Sequence, residues 1–184
     1  FLSKYKSMKI HLIEPLNVEQ KTIEAFIPEL EKLGFEFKQW KDRKEDTVSL
    51  IERCKEADVV IVSNIPFTKE VINACPKLKM LSVAFTGVDH VDMESCRERG
   101  ILVSNAAGYS TQSVAELTIG LMISLLRKIP YNDHKLRGLH GRDGFTGKEL
   151  HGKTVGIIGC GRIGSNLSKL LSIFDCKILG YDPV

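Results

Sequence analysis

The stretch Lys153-Thr154-Val155-Gly156-Ile157-Ile158-Gly159-Cys160-Gly161-Arg162-Ile163-Gly164 decides the fold of its part of the chain. Its apolar run, Val155 to Ile158, predicts a short buried strand, and a helical pattern follows from Asn166 to Phe174. Glycines spaced as Gly159-x-Gly161-x-x-Gly164 between strand and helix allow a tight turn, backbone approach to a pyrophosphate, and close helix packing. The stretch therefore predicts a dinucleotide-binding turn, with phosphates at the N-terminus of the helix.

An acidic residue at the end of the next strand supports this interpretation. The predicted strand Lys177–Tyr181 leads to Asp182, 18 residues after Gly164, close to the spacing of the carboxylate that binds an adenosine ribose. A carboxylate there repels a 2′-phosphate, so NAD is favoured over NADP. The alternative is a βαβ turn with an acidic strand end and no ligand. The sequence stops at Val184, so we expect only a partial Rossmann dinucleotide-binding domain.

Composition and charge exclude several classes of protein. Hydrophobic residues make up 43% and charged residues 27% of 184, and the net charge of +3 comes without a basic run. Nucleic acid is therefore not an expected partner. Five widely spaced cysteines without a CxxC favour reduced thiols in the cytoplasm over disulfides or zinc. We expect no membrane span and no signal peptide, with residues 1–7 as an extension before a start at Met8.

Before the glycine motif, short apolar strands alternate with helices. Strands are predicted at 9–14, 35–40, 58–62, 80–85 and 101–104, and helices at 18–33, 47–56, 69–75 and 93–99. Asn17, Asp46, Thr68 and Asp92 are the expected N-caps, and Pro28 is expected to kink or split the first helix. This alternation predicts an α/β fold, a flavodoxin-like open parallel sheet over residues 1–104.

The second predicted domain, residues 105–184, begins with a linking helix over 110–128. Ser113 and Glu116 fit a capping box, although Ser110 or Thr111 also suits a cap one turn earlier. Because the helix is apolar nearly all round, we expect it to be buried. Residues 131–150 are polar and weakly patterned, which indicates an exposed excursion.

Two loops of the first part are candidate ligand sites. Thr86, Gly87 and Val88 follow a buried strand, where ligands of open α/β sheets bind, and backbone N–H groups there suit a carboxylate. A plain β-turn is the alternative. Tyr109 either faces a substrate or anchors its loop. No pair of histidines has metal-ligand spacing.

Taken together, these segments resemble the D-isomer-specific 2-hydroxyacid dehydrogenase family. The matching stretches are 84–92, 100–105, 108–116, 147–164 and 181–183, which cover nearly the whole chain from Met8 in the order of the family.

The resemblance implies a substrate domain and a nucleotide domain with the active site in the cleft. It implies that Gly87 and Val88 bind the carboxylate of a small 2-hydroxy or 2-keto acid, that Tyr109 faces this substrate, and that Thr86 lies near the nicotinamide. Arg162 and Ile163 would lie on the pyrophosphate of NAD and Asp182 on its ribose. Members are usually homodimers, joined by the nucleotide domain and the excursion.

The family's catalytic arginine, glutamate and histidine lie downstream of the second nucleotide-domain strand, and no residue of this sequence matches them. We therefore expect no catalytic residue here and a fragment without turnover of an NAD-dependent oxidoreductase acting on D-2-hydroxy acids. The alternative is an NAD-responsive binding or corepressor-type protein of the same fold.

Overall fold

A parallel sheet of five strands forms the first of two units, Phe1–Ala107, in the computed structural model, which describes residues 8–138, 141 and 143–183. The extension 1–7 and position 140 lie outside the described residues. The strands are β1 (Lys9–Leu12), β2 (Glu36–Gln39), β3 (Val59–Val62), β4 (Met80–Val83) and β5 (Leu102–Asn105). Their order, β2-β1-β3-β4-β5, confirms the predicted flavodoxin-like sheet.

Side-chain caps begin three of the helices between these strands. The helices are α1 (Gln20–Glu24), α2 (Ile27–Lys32), α3 (Thr47–Cys54), α4 (Lys69–Asn73) and α5 (Met93–Glu98). Asp46 accepts a hydrogen bond from the Ser49 N–H at 2.9 Å, and Asp92 accepts one from the Ser95 N–H at 2.8 Å. Thr68 caps α4 in the same way. All three caps are as predicted.

The predicted helix over 18–33 is not continuous, in agreement with the expectation that Pro28 kinks or splits it. The chain forms α1 and α2 instead, and Pro28 lies in the first turn of α2, where its missing N–H costs no hydrogen bond. Asn17 is not the cap, because its φ of 55° places it in the left-handed region and Glu19 precedes the first helical residue.

One face of the sheet carries the main core. Fully buried side chains of β3 and β4, such as Val60 and Leu81, pack with Leu50 of α3 and Ile72 of α4. Phe67, the largest of these side chains, is fully buried in the loop before α4. This packing fixes the ends of the strands from which the candidate loops emerge.

The second unit, Gly108–Val184, contains a two-stranded parallel sheet in its described residues. Its elements are α6 (Thr111–Leu126), α7 (Ile129–Arg137), β6 (Thr154–Ile158), α8 (Arg162–Ser172) and β7 (Lys177–Tyr181). A small core of Ala115, Leu150, Ile157, Leu167 and Leu171 holds them together. We predicted a domain boundary after residue 104, and the two units divide after Ala107.

The structure corrects two predictions for α6. Only Ala115 of α6 is buried, whereas Leu117, Leu121 and Leu125 are 62%, 56% and 78% exposed. The Ser113 capping box is wrong, because Ser113 lies inside α6 and its hydroxyl donates to the Ser110 carbonyl. The excursion begins with a helix, α7, whose large apolar side chains are nonetheless about half exposed.

The described helices contain no segment that is both long enough and apolar enough to span a bilayer.

Candidate functional site: a glycine turn and a strand-end loop

The glycine turn joins β6 to α8 as the sequence predicts. Gly159 has a φ of 90°, which L-residues rarely adopt, and its N–H donates to the Tyr181 carbonyl at 2.8 Å. Gly161 is the N-cap of α8 in extended conformation. The first N–H groups of α8 therefore point out of a turn that the neighbouring strand β7 holds in place.

Each of the three positions of the motif requires glycine for a different local reason. A Cβ atom on Gly164 would collide with the Gly159 carbonyl, so Gly164 permits the close packing of α8 on the turn. A Cβ atom on Gly159 or Gly161 would meet no atom within 4 Å. Gly159 is explained by its backbone angle, whereas Gly161 leaves open space directly above the backbone. Such space is what a phosphate needs in order to reach main-chain N–H groups.

Asp182 lies against this turn. Its carboxylate accepts a hydrogen bond from the Cys160 N–H at 2.5 Å, across 22 positions of sequence. The end of β7 and the middle of the glycine turn therefore form one local unit. We predicted from the sequence that Asp182 binds a ligand, but not that it accepts a hydrogen bond from the turn itself.

Two further residues shape the turn and were not predicted. Ser165 donates its hydroxyl to the Cys160 carbonyl at 2.7 Å. A Cβ on Gly180 would approach the Cys160 Sγ to 2.9 Å, so a larger residue at position 180 would displace the turn. The only sequence signals for these roles are a serine directly after Gly164 and a glycine within a strand.

Arg162 and Ile163 form the first turn of α8. Both are exposed, and the Arg162 guanidinium lies close to Gly108, where a Cβ atom would be 3.2 Å from its Nη1. Gly108 has a φ of 99°, so this position suits glycine for backbone and steric reasons alike. Tyr109, the next residue, is 66% exposed and belongs to the second unit.

The second candidate site is the loop after β4, in the first unit. Thr86 is exposed, Gly87 is half-buried, and Val88 packs against the core. The Asn105 side-chain amide, at the end of β5, donates to the Thr86 carbonyl at 2.6 Å. The loop is thus tied to the neighbouring strand by Asn105, a positioning residue that sequence reasoning did not assign.

A buried carboxylate holds another loop at this edge of the sheet. Glu14 is fully buried at the end of β1, and it accepts hydrogen bonds from the N–H groups of Ser63, Asn64 and Ile65. Arg43 donates to the same carboxylate. This role was not predicted, since Glu14 follows an apolar run as a polar residue at any strand end does.

Comparison with known proteins identifies the family. The profile described as D-isomer specific 2-hydroxyacid dehydrogenase, catalytic domain, matches residues 12–176. D-3-phosphoglycerate dehydrogenase of Methanocaldococcus jannaschii is 47% identical over 136 residues, which are 73% of this chain and 26% of that protein.

Two solved structures extend the likeness to three dimensions. NAD⁺-bound 3-phosphoglycerate dehydrogenase of Entamoeba histolytica is 36% identical with a TM-score of 0.76, and the alignment covers 96% of this chain and 54% of that one. The acyclic imino acid reductase Bsp5, in complex with NADPH and D-Arg, is 31% identical with a TM-score of 0.83, over 94% and 55% of the two chains.

The chain spans about a quarter of the curated relative and about half of the two solved chains. Within that span the profile matches far more than half of the present sequence. The chain therefore belongs to the D-isomer specific 2-hydroxyacid dehydrogenase family.

Proposed function

We propose that this chain is part of an NAD-dependent oxidoreductase that acts on the CH–OH group of a D-2-hydroxy acid or on the matching 2-keto acid. The observation that carries the proposal is the glycine turn of the second unit. Its backbone is open at Gly161, it ends in the N-terminus of α8, and Asp182 is bonded to its centre.

These residues fit the adenosine half of a dinucleotide. The N–H groups of the first turn of α8, including Arg162 and Ile163, would bind the pyrophosphate, since a helix N-terminus attracts anions. Gly159 and Gly164 would shape the turn, and Asp182 would accept hydrogen bonds from the ribose hydroxyls. When bound, the nicotinamide supplies the hydride acceptor or donor.

Asp182 also favours NAD over NADP in this proposal. A 2′-phosphate would lie beside the Asp182 carboxylate, and the two negative charges would repel each other. The relatives support a nicotinamide dinucleotide in general, because one was solved with NAD⁺ and another with NADPH. The preference between the two therefore rests on Asp182.

The loop Thr86–Val88 is the proposed substrate loop. The N–H groups of Gly87 and Val88 would bind the substrate carboxylate, while Thr86 would lie near the nicotinamide. Asn105 supports this role because it holds the loop from the neighbouring strand. Tyr109 would face the substrate. The relatives differ in substrate, as their names state, so the identity of the 2-hydroxy acid stays open.

We assign the arginine, glutamate and histidine of the reaction to sequence outside these 184 residues. A general base moves the hydroxyl proton, and His90, the histidine beside the Thr86–Val88 loop, has no carboxylate partner among the described residues. We further propose a homodimer, supported by the exposed leucines of α6, and a cytoplasmic location, supported by the five free cysteines.

The test is an assay of the full-length protein with NADH and NADPH against a panel of 2-keto acids. We expect NADH oxidation with at least one 2-keto acid and a higher kcat/KM for NADH than for NADPH. Dinucleotide binding without turnover of any member of the panel would contradict the enzymatic assignment.

A further inference from the structure

A polar groove of about 470 Å³ lies beside β2 and α3 in the first unit. We call it the His11 groove, and its main lining residues are His11, Lys38, Trp40, Lys44, Arg53 and Lys55. A neighbouring depression of about 820 Å³ shares His11, Lys38 and Glu56 with it. No residue assigned above to cofactor or substrate lines either cavity. Both volumes lie within the range of roughly 300–1,000 Å³ that is usual for small-ligand sites.

The floor of the groove is a histidine with a defined tautomer. His11 is 7% exposed, and its Nδ1 lies 2.6 Å from the Arg53 carbonyl. A carbonyl only accepts, so Nδ1 carries the proton and Nε2 of the neutral ring is an acceptor. In the described part of the chain, no donor bonds to Nε2.

The charge state of His11 agrees with this tautomer. Burial lowers the pKa of His11, and Lys38 and Lys9 act in the same direction. The Arg53 hydrogen bond and Glu56 raise the pKa, but the balance is downward. The ring of His11, which lines the groove, is therefore neutral near pH 7 and has an acceptor at Nε2.

Two of the lining side chains, Arg53 and Trp40, are held by contacts within the first unit. Arg53 donates to the carbonyls of Ile13 and Asp42 at 2.8 Å each, and to the Asp42 carboxylate at 2.8 Å. The Trp40 ring meets the His11 ring edge-on, with 5.2 Å between centroids. The part of the site formed by His11, Arg53 and Trp40 therefore loses little conformational entropy on binding.

Basic side chains outnumber acidic ones along the groove, and one residue of each sign is paired with a residue that does not line it. Arg53 is paired with Asp42, and Glu56 with Lys77 at 2.6 Å. The other charged groups that line it are Lys38, Lys44 and Lys55, facing a single Glu52. The Lys38 ammonium lies 4.4 Å from the Trp40 ring centroid, at the wall of the groove.

We propose that the His11 groove binds a small organic anion that carries a hydroxyl group. The lysines attract the anionic group, and the hydroxyl donates a hydrogen bond to His11 Nε2. A neutral polyol would satisfy only Nε2, and an anion without a donor would satisfy only the lysines. The site is separate from the proposed dinucleotide turn and substrate loop.

Trp40 reports on this groove directly, because it is the only tryptophan of the chain. Tryptophan fluorescence of the 184-residue chain is titrated with glycerol 3-phosphate, propyl phosphate and glycerol. Glycerol 3-phosphate carries both the anion and hydroxyl groups, propyl phosphate carries only the anion, and glycerol carries only hydroxyl groups. We expect saturable binding that is strongest for glycerol 3-phosphate, about tenfold weaker for propyl phosphate, and absent for glycerol.

Two variants test the two contacts separately. Lys55→Glu should weaken both phosphates about tenfold or more, because a charge-assisted contact is replaced by repulsion. The matched control Lys69→Glu changes an exposed lysine of α4 that does not line the groove, and it should leave both affinities unchanged. His11→Phe keeps a ring against Trp40 and should abolish the preference for glycerol 3-phosphate over propyl phosphate.

Three results would overturn the proposal. The first is the absence of a saturable response to glycerol 3-phosphate in the wild-type chain. The second is an unchanged affinity in Lys55→Glu, and the third is equal affinity for the two phosphates in the wild type. If His11→Phe does not fold, the comparison of Lys55→Glu with Lys69→Glu and the comparison of the three probes still test the proposal.

Discussion

At the scale of single residues, the Asp182 carboxylate combines two interactions that a substitution can separate. It accepts from the Cys160 N–H, and in our proposal it also binds the ribose. Asp182→Ala removes both, so NAD affinity of the full-length protein should fall about tenfold or more. Asp182→Asn keeps an acceptor for Cys160 but loses the charge that repels a 2′-phosphate.

The ratio of NADP to NAD affinity should therefore rise in both Asp182 variants, while thermal stability falls more in Asp182→Ala than in Asp182→Asn. Calorimetric titration with both cofactors and thermal unfolding measure these effects. An unchanged affinity ratio would contradict the assignment of Asp182 to the ribose.

The glycines of the turn allow a similar separation. Gly161→Val places a side chain where no atom lies within 4 Å, so the fold should be kept while the pyrophosphate is displaced. Gly164→Ala meets the Gly159 carbonyl, so it should destabilise the second unit. We expect NADH binding to be lost in a folded full-length Gly161→Val. Retained NADH affinity in that variant would mean that the motif is a structural turn alone.

His11 predicts a pH dependence of stability. Its pKa is below the ordinary 6.5 in the folded chain, chiefly through burial. Between those two pKa values the unfolded chain binds a proton that the folded chain does not, so the free energy of unfolding falls as pH drops below about 6.5. Lys38 and Lys9 add to the effect, whereas Glu56 opposes it.

Chemical denaturation at pH 7.5 and pH 5.5 measures this dependence, with His11→Gln as the control. Other groups titrate in the same range, but the wild type and His11→Gln share them, so their contributions cancel in the comparison. The wild type should lose more stability than His11→Gln between the two pH values. Equal losses would mean that His11 is not the group responsible.

At the scale of elements, α6 has two apolar faces with different surroundings. Ala115, Ile119, Met122, Ile123 and Leu126 pack on the core of the second unit. Leu117, Leu121 and Leu125 repeat every four residues on the other side and are more than half exposed. A stripe of this size on a helix is typical of a surface that contacts another protein.

We expect α6 to contribute to the proposed homodimer. Leu117→Lys combined with Leu121→Glu should convert the full-length protein to monomers, measured by light scattering after size exclusion. Val48→Glu is the control, because Val48 is 76% exposed on α3, in the other unit. A dimer that survives the double substitution would remove α6 from the interface.

At the scale of the whole molecule, the features predicted from sequence are those with local causes. The caps Asp46, Thr68 and Asp92 act within one turn, and the strand–turn–helix around Gly161 is contiguous in sequence. The short strands and the helices between them are likewise predicted from neighbouring residues, and their alternation indicates a parallel sheet. Each of these needs only the sequence near it.

The failures involve partners that sequence does not reveal. The period of α6 shows that it is apolar but not which of its faces are covered. The bonds from Asp182 to Cys160 and from Asn105 to Thr86 join residues 22 and 19 positions apart. The expected split at Pro28 is confirmed, because the break between α1 and α2 falls just before this proline, at Ala25 and Phe26.

The last prediction concerns the 184-residue chain as a catalyst. We propose that the glycine turn and Asp182 bind the adenosine half of a dinucleotide and that the loop Thr86–Val88 binds the substrate carboxylate. In our proposal the general base and the arginine that clamps the substrate come from further sequence. A general base alone contributes ~10²–10⁴ in rate, so turnover by these 184 residues should be undetectable beside that of the full-length protein.

Both proteins are assayed with NADH and the 2-keto acid that the full-length enzyme prefers, and dinucleotide binding is measured in parallel. Comparable rates would mean that the catalytic groups lie within residues 1–184 and that our assignment of the reaction's residues is wrong.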